Sequence, residues 1–205
     1  MQPSHRYHQA LVQLTKDVTQ ALDGAGITYW LDGGSLLGAV RAGGRLLHDD
    51  DVDLAVPLED VVALLPALFR LEEQGYALDV TDECVKICQP RTAEPPYGNA
   101  TLDLFVYERE DRRMQLGTPE GRTKWPGCYH ELSDLWPLRT VSFDGLELWC
   151  PARPEPYLDR LYPEWRTKVV VYPPHLEHGV QHPGQEEAQH VDAHGVPQLL
   201  PKLTV

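Results

Sequence analysis

The residues best suited to chemistry sit in one stretch, Tyr29 to Val56, which reads YWLDGGSLLGAVRAGGRLLHDDDVDLAV. Asp49, Asp50, Asp51 and Asp53 place four carboxylates within five positions, and charges this close repel unless water or a cation separates them. The run DVDLAVP (51–57) alternates acid and apolar residues, the pattern of a half-buried strand. On such a strand Asp51 and Asp53 share one face with their Cα atoms ~7 Å apart, so both carboxylates reach the same one or two divalent ions. Asp103, in TLDLF, stands between Leu102 and Leu104 on a second strand, where an apolar residue is expected unless the position meets the same metal. Three carboxylates on neighbouring strands form a hard, oxygen-rich site suited to Mg²⁺ or Mn²⁺ rather than zinc. Ions held this way bind a di- or triphosphate and stabilise the charge of an in-line displacement at phosphorus.

A second element belongs to the same chemistry. A strand running into Gly33, Gly34 and Ser35 and then into a helix offers backbone N–H groups and a hydroxyl to a phosphate, and the glycines allow close approach. Arg41, about two turns into that helix, is a further phosphate contact. Taken singly, these features are also what an ordinary turn with its cap and a solvated acidic loop look like. Their combination at this spacing is what points to a metal-dependent phosphoryl site.

The whole chain constrains the partners. Eighteen basic against 31 acidic residues give a net charge of −13 over 205 residues. That balance excludes a nucleic-acid backbone as partner and admits a phosphate-bearing small molecule only where metal ions mask the charge. No apolar run approaches the roughly 18 residues of a membrane span, and the amino terminus lacks the apolar core of a secretory signal, so the expectation is a cytoplasmic protein. Cys84, Cys88, Cys128 and Cys150 are then expected as reduced thiols. CVKIC reads as a strand, on which Cys84 and Cys88 lie ~13 Å apart, too far for one tetrahedral zinc.

The elements that must position the acids follow from periodicity. Leu11, Leu14, Val18 and Leu22 mark an amphipathic helix over 5–23, ended by Gly24 and Gly26. ITYWL (27–31) reads as a strand, SLLGAVRAGG as a short helix capped by Ser35, and 51–57 as the acid-bearing strand. Residues 58–74 are helical, with Pro66 implying a kink or a late start. Strands are expected at 76–81, 84–89 and 101–108, with the Pro-rich PRTAEPPYGN as a loop. Residues 109–138 carry mixed signals, with Trp125 and Trp136 suggesting packed loops. TVSFDGLELWCP reads as a hairpin turning at Asp144-Gly145, followed by a short helix with Pro154 near its start. The order α-β-α-β-α-β-β-β implies an α+β protein, a mixed sheet flanked by helices with a smaller C-terminal hairpin-helix part. A catalytic core is expected over 1–108, an extension completing the same domain over 109–172, and a polar tail over 173–205. His175, His178 and His182 of that tail could be drawn as a metal triad, but mobile tail or surface packing is the simpler reading.

YWLDGGSLLGAVRAGGRLLHDDDVDLAV closely resembles the signature of the LicD family, which includes the fukutin and fukutin-related group. That family lies within the DNA-polymerase-β-type nucleotidyltransferase superfamily. The superfamily pattern is a Gly-Gly/Ser pair, an acid-apolar-acid motif and a third acid on a later strand, places filled here by Gly34, Ser35, Asp51, Asp53 and Asp103. The resemblance extends to LDLFVY and, more weakly, to VSFDGLELWCPARPEPYLDRLYPEW. His48 stands where many relatives carry Trp, and Pro163 follows Tyr162 where they carry Gly; both departures bear on the acceptor pocket. The resemblance implies a nucleotidyltransferase-like fold and transfer of phosphocholine or a phospho-alditol from a CDP-linked donor to a hydroxyl of a sugar or glycan. Asp51 and Asp53 would hold the ion that binds the diphosphate, and Gly33, Gly34 and Ser35 would cradle a phosphate oxygen. Asp103 would share the second ion and orient the acceptor hydroxyl, with Lys86 as a further phosphate contact. Two other readings keep the fold: transfer of NMP from an NTP to a small-molecule hydroxyl with release of pyrophosphate, and an inactive nucleotide-binding protein.

Overall fold

The computed structural model describes residues 3–46, 49–94 and 97–171, and three short strand segments at 185–187, 190–191 and 197–198. The first helix, α1 (His5–Gly24), starts where the Ser4 hydroxyl accepts the Tyr7 N–H, filling one of the donors a helix start leaves open. Its buried face carries Tyr7, Leu11, Leu14, Val18 and Leu22. After it come β1 (Trp30–Leu31), α2 (Gly33–Ala42), β2 (Asp51–Pro57), a 3₁₀ turn (Leu58–Asp60), α3 (Val61–Glu73), β3 (Ala77–Val80), β4 (Cys84–Glu94) and β5 (Gly98–Glu110). This is the element order expected from the sequence for the first 110 residues. The helix α3 runs through Pro66, which lies on its exposed side.

The sheet runs β1-β2-β5-β4-β3, with β2 and β5 parallel and the other neighbours antiparallel. It is the mixed sheet of an α+β protein. Alternation divides the strands between two faces. Val52, Leu54 and Val56 of β2, Leu102 and Leu104 of β5 and Ile87 of β4 join the core built with α1 and α3. Asp51, Asp53, Asp103 and Lys86 occupy the other face by the same parity.

Three stretches differ from their sequence reading. The Pro-rich stretch is largely strand, because β4 continues to Glu94 and β5 begins at Gly98. Pro90 has no N–H to give a ladder, and the pairing shifts register between Gln89 and Glu94, with Arg91 at φ 67°. The mixed stretch after 109 is built of short elements: β6 (Arg113–Leu116), α4 (Pro119–Lys124), β7 (Tyr129–Glu131) and α5 (Leu132–Leu135). The first two strands extend the sheet beyond the end of β5; each element is too short to show a period. Last, α2 opens three residues early. Its N-cap is Asp32, and Ser35 lies inside the helix, fully buried.

The hairpin forms as read. Strands β8 (Arg139–Phe143) and β9 (Leu146–Cys150) turn at Asp144 and Gly145, both with positive φ, as the tightest hairpin turn requires. They are followed by α6 (Glu155–Leu161) and β10 (Val169–Val171). His48, His175, His178 and His182 lie outside the described residues. Among the described residues, no helix is long and apolar enough to cross a membrane.

Candidate active site

The parallel pairing of β2 with β5 brings the three sequence-distant acids together. Asp53 is the register partner of Asp103, and Asp51 is the partner of Thr101, two residues earlier on the same face. One carboxylate oxygen from each of Asp51, Asp53 and Asp103 lies within 4.8 Å of the others. At such a separation two full negative charges repel by on the order of 3 kcal/mol in an effective dielectric of about 20, so three ionised carboxylates require a proton or a cation among them. Both responses are visible. Burial, and then the charges of Asp51, Asp49, Asp103 and Asp32, push the Asp53 carboxyl well above the usual carboxylate range. Lys86, the register partner of Asp103 on β4, donates to Asp103 Oδ2 at 2.5 Å. Burial works against the Lys86 ammonium, but the Asp103 charge and hydrogen bond outweigh it and hold the group above the ordinary lysine range.

The donor set fits a hard divalent cation. Asp103 Oδ1 is buried and has no hydrogen-bond partner among the described residues. A buried acceptor left unsatisfied costs about 1–3 kcal/mol, and a carboxylate oxygen beside two other carboxylates is a donor that a hard cation would accept. Cys84 is buried and Cys88 half-buried on the same strand; both are free thiols, as are Cys128 and Cys150.

The glycine turn is built against Asp53. Gly33 has φ +49°, and a Cβ there would stand 2.5 Å from Asp53 Oδ2. Both facts demand glycine. The Gly34 N–H donates to Asp53 Oδ2 at 2.9 Å, and the Ser35 hydroxyl accepts the Asp53 N–H at 2.8 Å. Thus Gly33, Gly34 and Ser35 lie directly beside the carboxylates, and Ser35 joins α2 to β2. Arg41 is not brought to this cluster. It sits in the last turn of α2 and donates to the carbonyls of Trp165 and Lys168.

A second polar network, not foreseen from the sequence, supports the turn from behind. Asp32 is buried, accepts from Tyr107 Oη at 2.6 Å and lies 3.1 Å from His130 Nε2. His130 stacks on Tyr157 with centroids 4.1 Å apart and planes 10° from parallel, and the Gly33 N–H points at Tyr157 Oη, 3.4 Å away. Trp30 packs edge-on against Tyr107, His130 and Trp136. Burial, then the Asp32 charge, pushes the Cys128 thiol up to about 12, and the same two causes lead in raising Tyr107 and Tyr157. Asp32 stood in the quoted motif, but its partners Tyr107 and His130 come from β5 and β7, separations of 75 and 98 residues that no local pattern reports.

The acidic loop is tied down too. The buried Arg45 donates to Asp144 Oδ2 at 3.0 Å and to the Asp49 carbonyl at 3.2 Å, and contacts His8. Tyr7 donates to the Asp50 and Asn99 carbonyls at 2.9 and 3.0 Å. The hairpin turn and the first helix therefore both clamp the stretch that leads into Asp51.

This combination, a Gly-Gly-Ser turn lying on an acid-apolar-acid strand with a third acid on the parallel neighbour, is that of a nucleotidyltransferase domain. Residues 26–153 match the family model described as LicD/FKTN/FKRP, nucleotidyltransferase domain, and the chain belongs to that family. It is similar to the uncharacterized protein RP689 of Rickettsia prowazekii, 32% identical over 169 residues, 82% of this chain and 60% of that protein. It is also similar to the ribitol 5-phosphate transferase FKRP of Homo sapiens, 51% identical over 53 residues, 26% of this chain and 11% of that protein. The chain thus spans well under two thirds of the length of these curated relatives. Among solved structures it is similar to the lincosamide antibiotic adenylyltransferase LnuA, with TM-score 0.43 and 17% identity over 77% of this chain and 85% of that one.

Proposed function

We propose that this domain transfers a phospho-substituent of the phosphocholine or phospho-alditol kind from a CDP-linked donor to a hydroxyl of a sugar or glycan. Membership of the LicD/FKTN/FKRP family and the local similarity to a ribitol 5-phosphate transferase support the reaction class. The observation that carries the reading is the convergence of Asp51, Asp53 and Asp103, with Asp103 Oδ1 left bare.

Asp51, Asp53 and Asp103 would hold Mg²⁺ or Mn²⁺, which when bound supplies charge neutralisation at the diphosphate. The chain's own groups would do the rest. The Gly34 N–H, now on Asp53, and the neighbouring Gly33 N–H would be available to a phosphate oxygen beside the start of α2. Lys86 would neutralise phosphate charge from the β4 side. The acceptor hydroxyl oxygen attacks the phosphorus bearing the transferred group, and the bond from that phosphorus to the bridging oxygen breaks. CMP departs with the electron pair, and the hydroxyl proton passes to Asp103 or to water.

The test is a product assay with purified protein and Mn²⁺ or Mg²⁺. CMP formed from CDP-choline or a CDP-alditol, and lost in Asp51→Ala, is the expected result. Pyrophosphate formed from CTP with no CMP from any CDP-conjugate would replace this reading with nucleotidyl transfer. Failure of every nucleotide to bind in the presence of the cation would leave a protein that keeps the fold without the activity.

A further inference from the structure

The buried face of α3 uses Leu64, Ala67, Leu68 and Leu71. Its opposite face and the turn before it leave Leu58, Val62, Leu65 and Phe69 exposed by 47, 81, 51 and 62%. Val62, Leu65 and Phe69 are spaced by three and four residues, which aligns them in one stripe along the helix, and Leu58 stands on the 3₁₀ turn just ahead of it. Scattered exposed leucines need no explanation, but three large apolar side chains in register, with Leu58 at their N-terminal end, form a patch on the order of 400 Å², the scale at which patches on monomers become binding surfaces. The spacing also specifies the shape of what covers them, because a stripe with this period fits the side of another helix.

We propose that a second copy of this chain covers the stripe, the two α3 helices packing antiparallel about a two-fold axis. Charge selects this occupant and this direction. Glu59 and Arg70 are exposed at opposite ends of the stripe, and their side chains have no hydrogen-bond or ion-pair partner among the described residues. The neighbouring Asp60 is instead engaged by the Thr28 N–H at 3.2 Å. Counted at about 120° per residue through the 3₁₀ turn and about 100° per residue along α3, Glu59 and Arg70 fall on the same flank, roughly 50 and 110° round from the centre of the stripe. In an antiparallel two-fold pair like flanks face each other, so Glu59 of each copy meets Arg70 of the other, twice. A parallel pair would set each flank against the opposite one and leave all four charges unpaired. The two stripes with exposed Ala63 and Pro66 and the two ion pairs reach the lower end of the ~1,200–2,000 Å² that specific interfaces bury, which predicts a dimer that dissociates on dilution. Because α3 lies on the face of the sheet opposite Asp51, Asp53 and Asp103, pairing leaves both candidate active sites open.

Sedimentation velocity of the full chain at about 1 and about 100 μM tests this. The wild type should move from monomer towards dimer across that range. Val62→Glu and Phe69→Glu should stay monomeric throughout with melting temperature unchanged, since both side chains are already exposed. Arg70→Glu should weaken the dimer by about tenfold or more, and the double variant Glu59→Arg/Arg70→Glu should restore it, because exchange of the charges rebuilds both pairs only in the antiparallel arrangement. A wild type that is monomeric at the higher concentration overturns the proposal, whether or not it binds zwitterionic lipid vesicles. A dimer indifferent to Val62→Glu and Phe69→Glu, or a charge exchange that fails to restore what Arg70→Glu loses, overturns it equally.

Discussion

Lys86 Nζ lies 2.5 Å from Asp103 Oδ2, while the second oxygen of the same carboxylate has no partner among the described residues. One residue therefore faces two ways, with a protein cation on one oxygen and no hydrogen-bond donor among the described residues on the other. The Asp103 carboxylate is thereby held in one orientation beside Asp51 and Asp53, and the Lys86 charge offsets part of the negative charge of the cluster. Lys86→Met should lower transfer by on the order of 10²-fold, as removal of a single charge-stabilising donor does at comparable sites, with Lys86→Arg recovering part of it. The Asp103→Asn substitution should remove turnover and weaken Mn²⁺ binding, read by calorimetry with the ion alone. Unchanged Mn²⁺ affinity in Asp103→Asn would remove that residue from the donor set.

The Gly33–Asp53 contact sets a sharper test. A Cβ at residue 33 would sit 2.5 Å from Asp53 Oδ2 on a backbone with φ +49°. Gly33→Ala should therefore cost about 1–3 kcal/mol of stability and displace the carboxylate, abolishing cation-dependent nucleotide binding. Gly34→Ala should be milder, because its added Cβ would lie 3.2 Å from Asp49 Oδ2 and its φ is not positive. Urea denaturation of both variants, each with and without Mn²⁺, checks the order; equal losses would mean that the left-handed backbone is not what matters.

What the sequence could and could not show follows from the range of each interaction. Asp51 and Asp53 were legible because alternation on one strand is a local property, and Asp103 because a lone acid between leucines breaks an apolar strand. Gly33 and Gly34 were legible as a turn. Their contact with Asp53 was not, since it depends on how α2 lies across β2. Ser35 was misread as a cap because a hydroxyl ahead of an apolar run is the usual cap signature, yet Asp32 takes that position and the hydroxyl instead braces the Asp53 backbone. Arg41 fitted a phosphate role by distance along the helix; its carbonyl partners belong to residues 165 and 168, far along the chain. The strands within 109–138 were hidden by their length of three or four residues.

The buried Asp32–His130 pair gives a prediction about the support rather than the chemistry. Replacing His130 by Phe keeps a ring against Tyr157 but leaves one oxygen of a buried carboxylate without its partner, and should cost about 2–4 kcal/mol. Tyr107→Phe removes the bond to the other oxygen, 2.6 Å long, and should cost about 1–3 kcal/mol by the same argument. If the network acts through the Gly33 turn, His130→Phe should also weaken Mn²⁺ binding at temperatures where it remains folded, whereas a purely structural role would leave that affinity unchanged.

Alkaline pH should destabilise the fold through its buried thiols and phenols. Burial comes first among the causes that push the Cys84 and Cys128 thiols up to about 12, and it is also the leading cause that carries the Tyr29 phenol to about 12. In the unfolded chain these groups titrate near about 8.5 for thiols and about 10 for tyrosine. Between those values and about 12 the folded state therefore holds protons that the unfolded state releases, and stability must fall as pH rises. Their contribution is fully present below about pH 8 and declines through the interval above it. Urea midpoints measured under reducing conditions from pH 7.5 upward should be flat at first and then drop. Cys128→Ser should flatten the early part of that drop, because it removes one of the three thiols, with Cys84 and Cys150, that burial raises in the folded state. A midpoint that rose with pH across this interval would contradict the buried, protonated state of these groups.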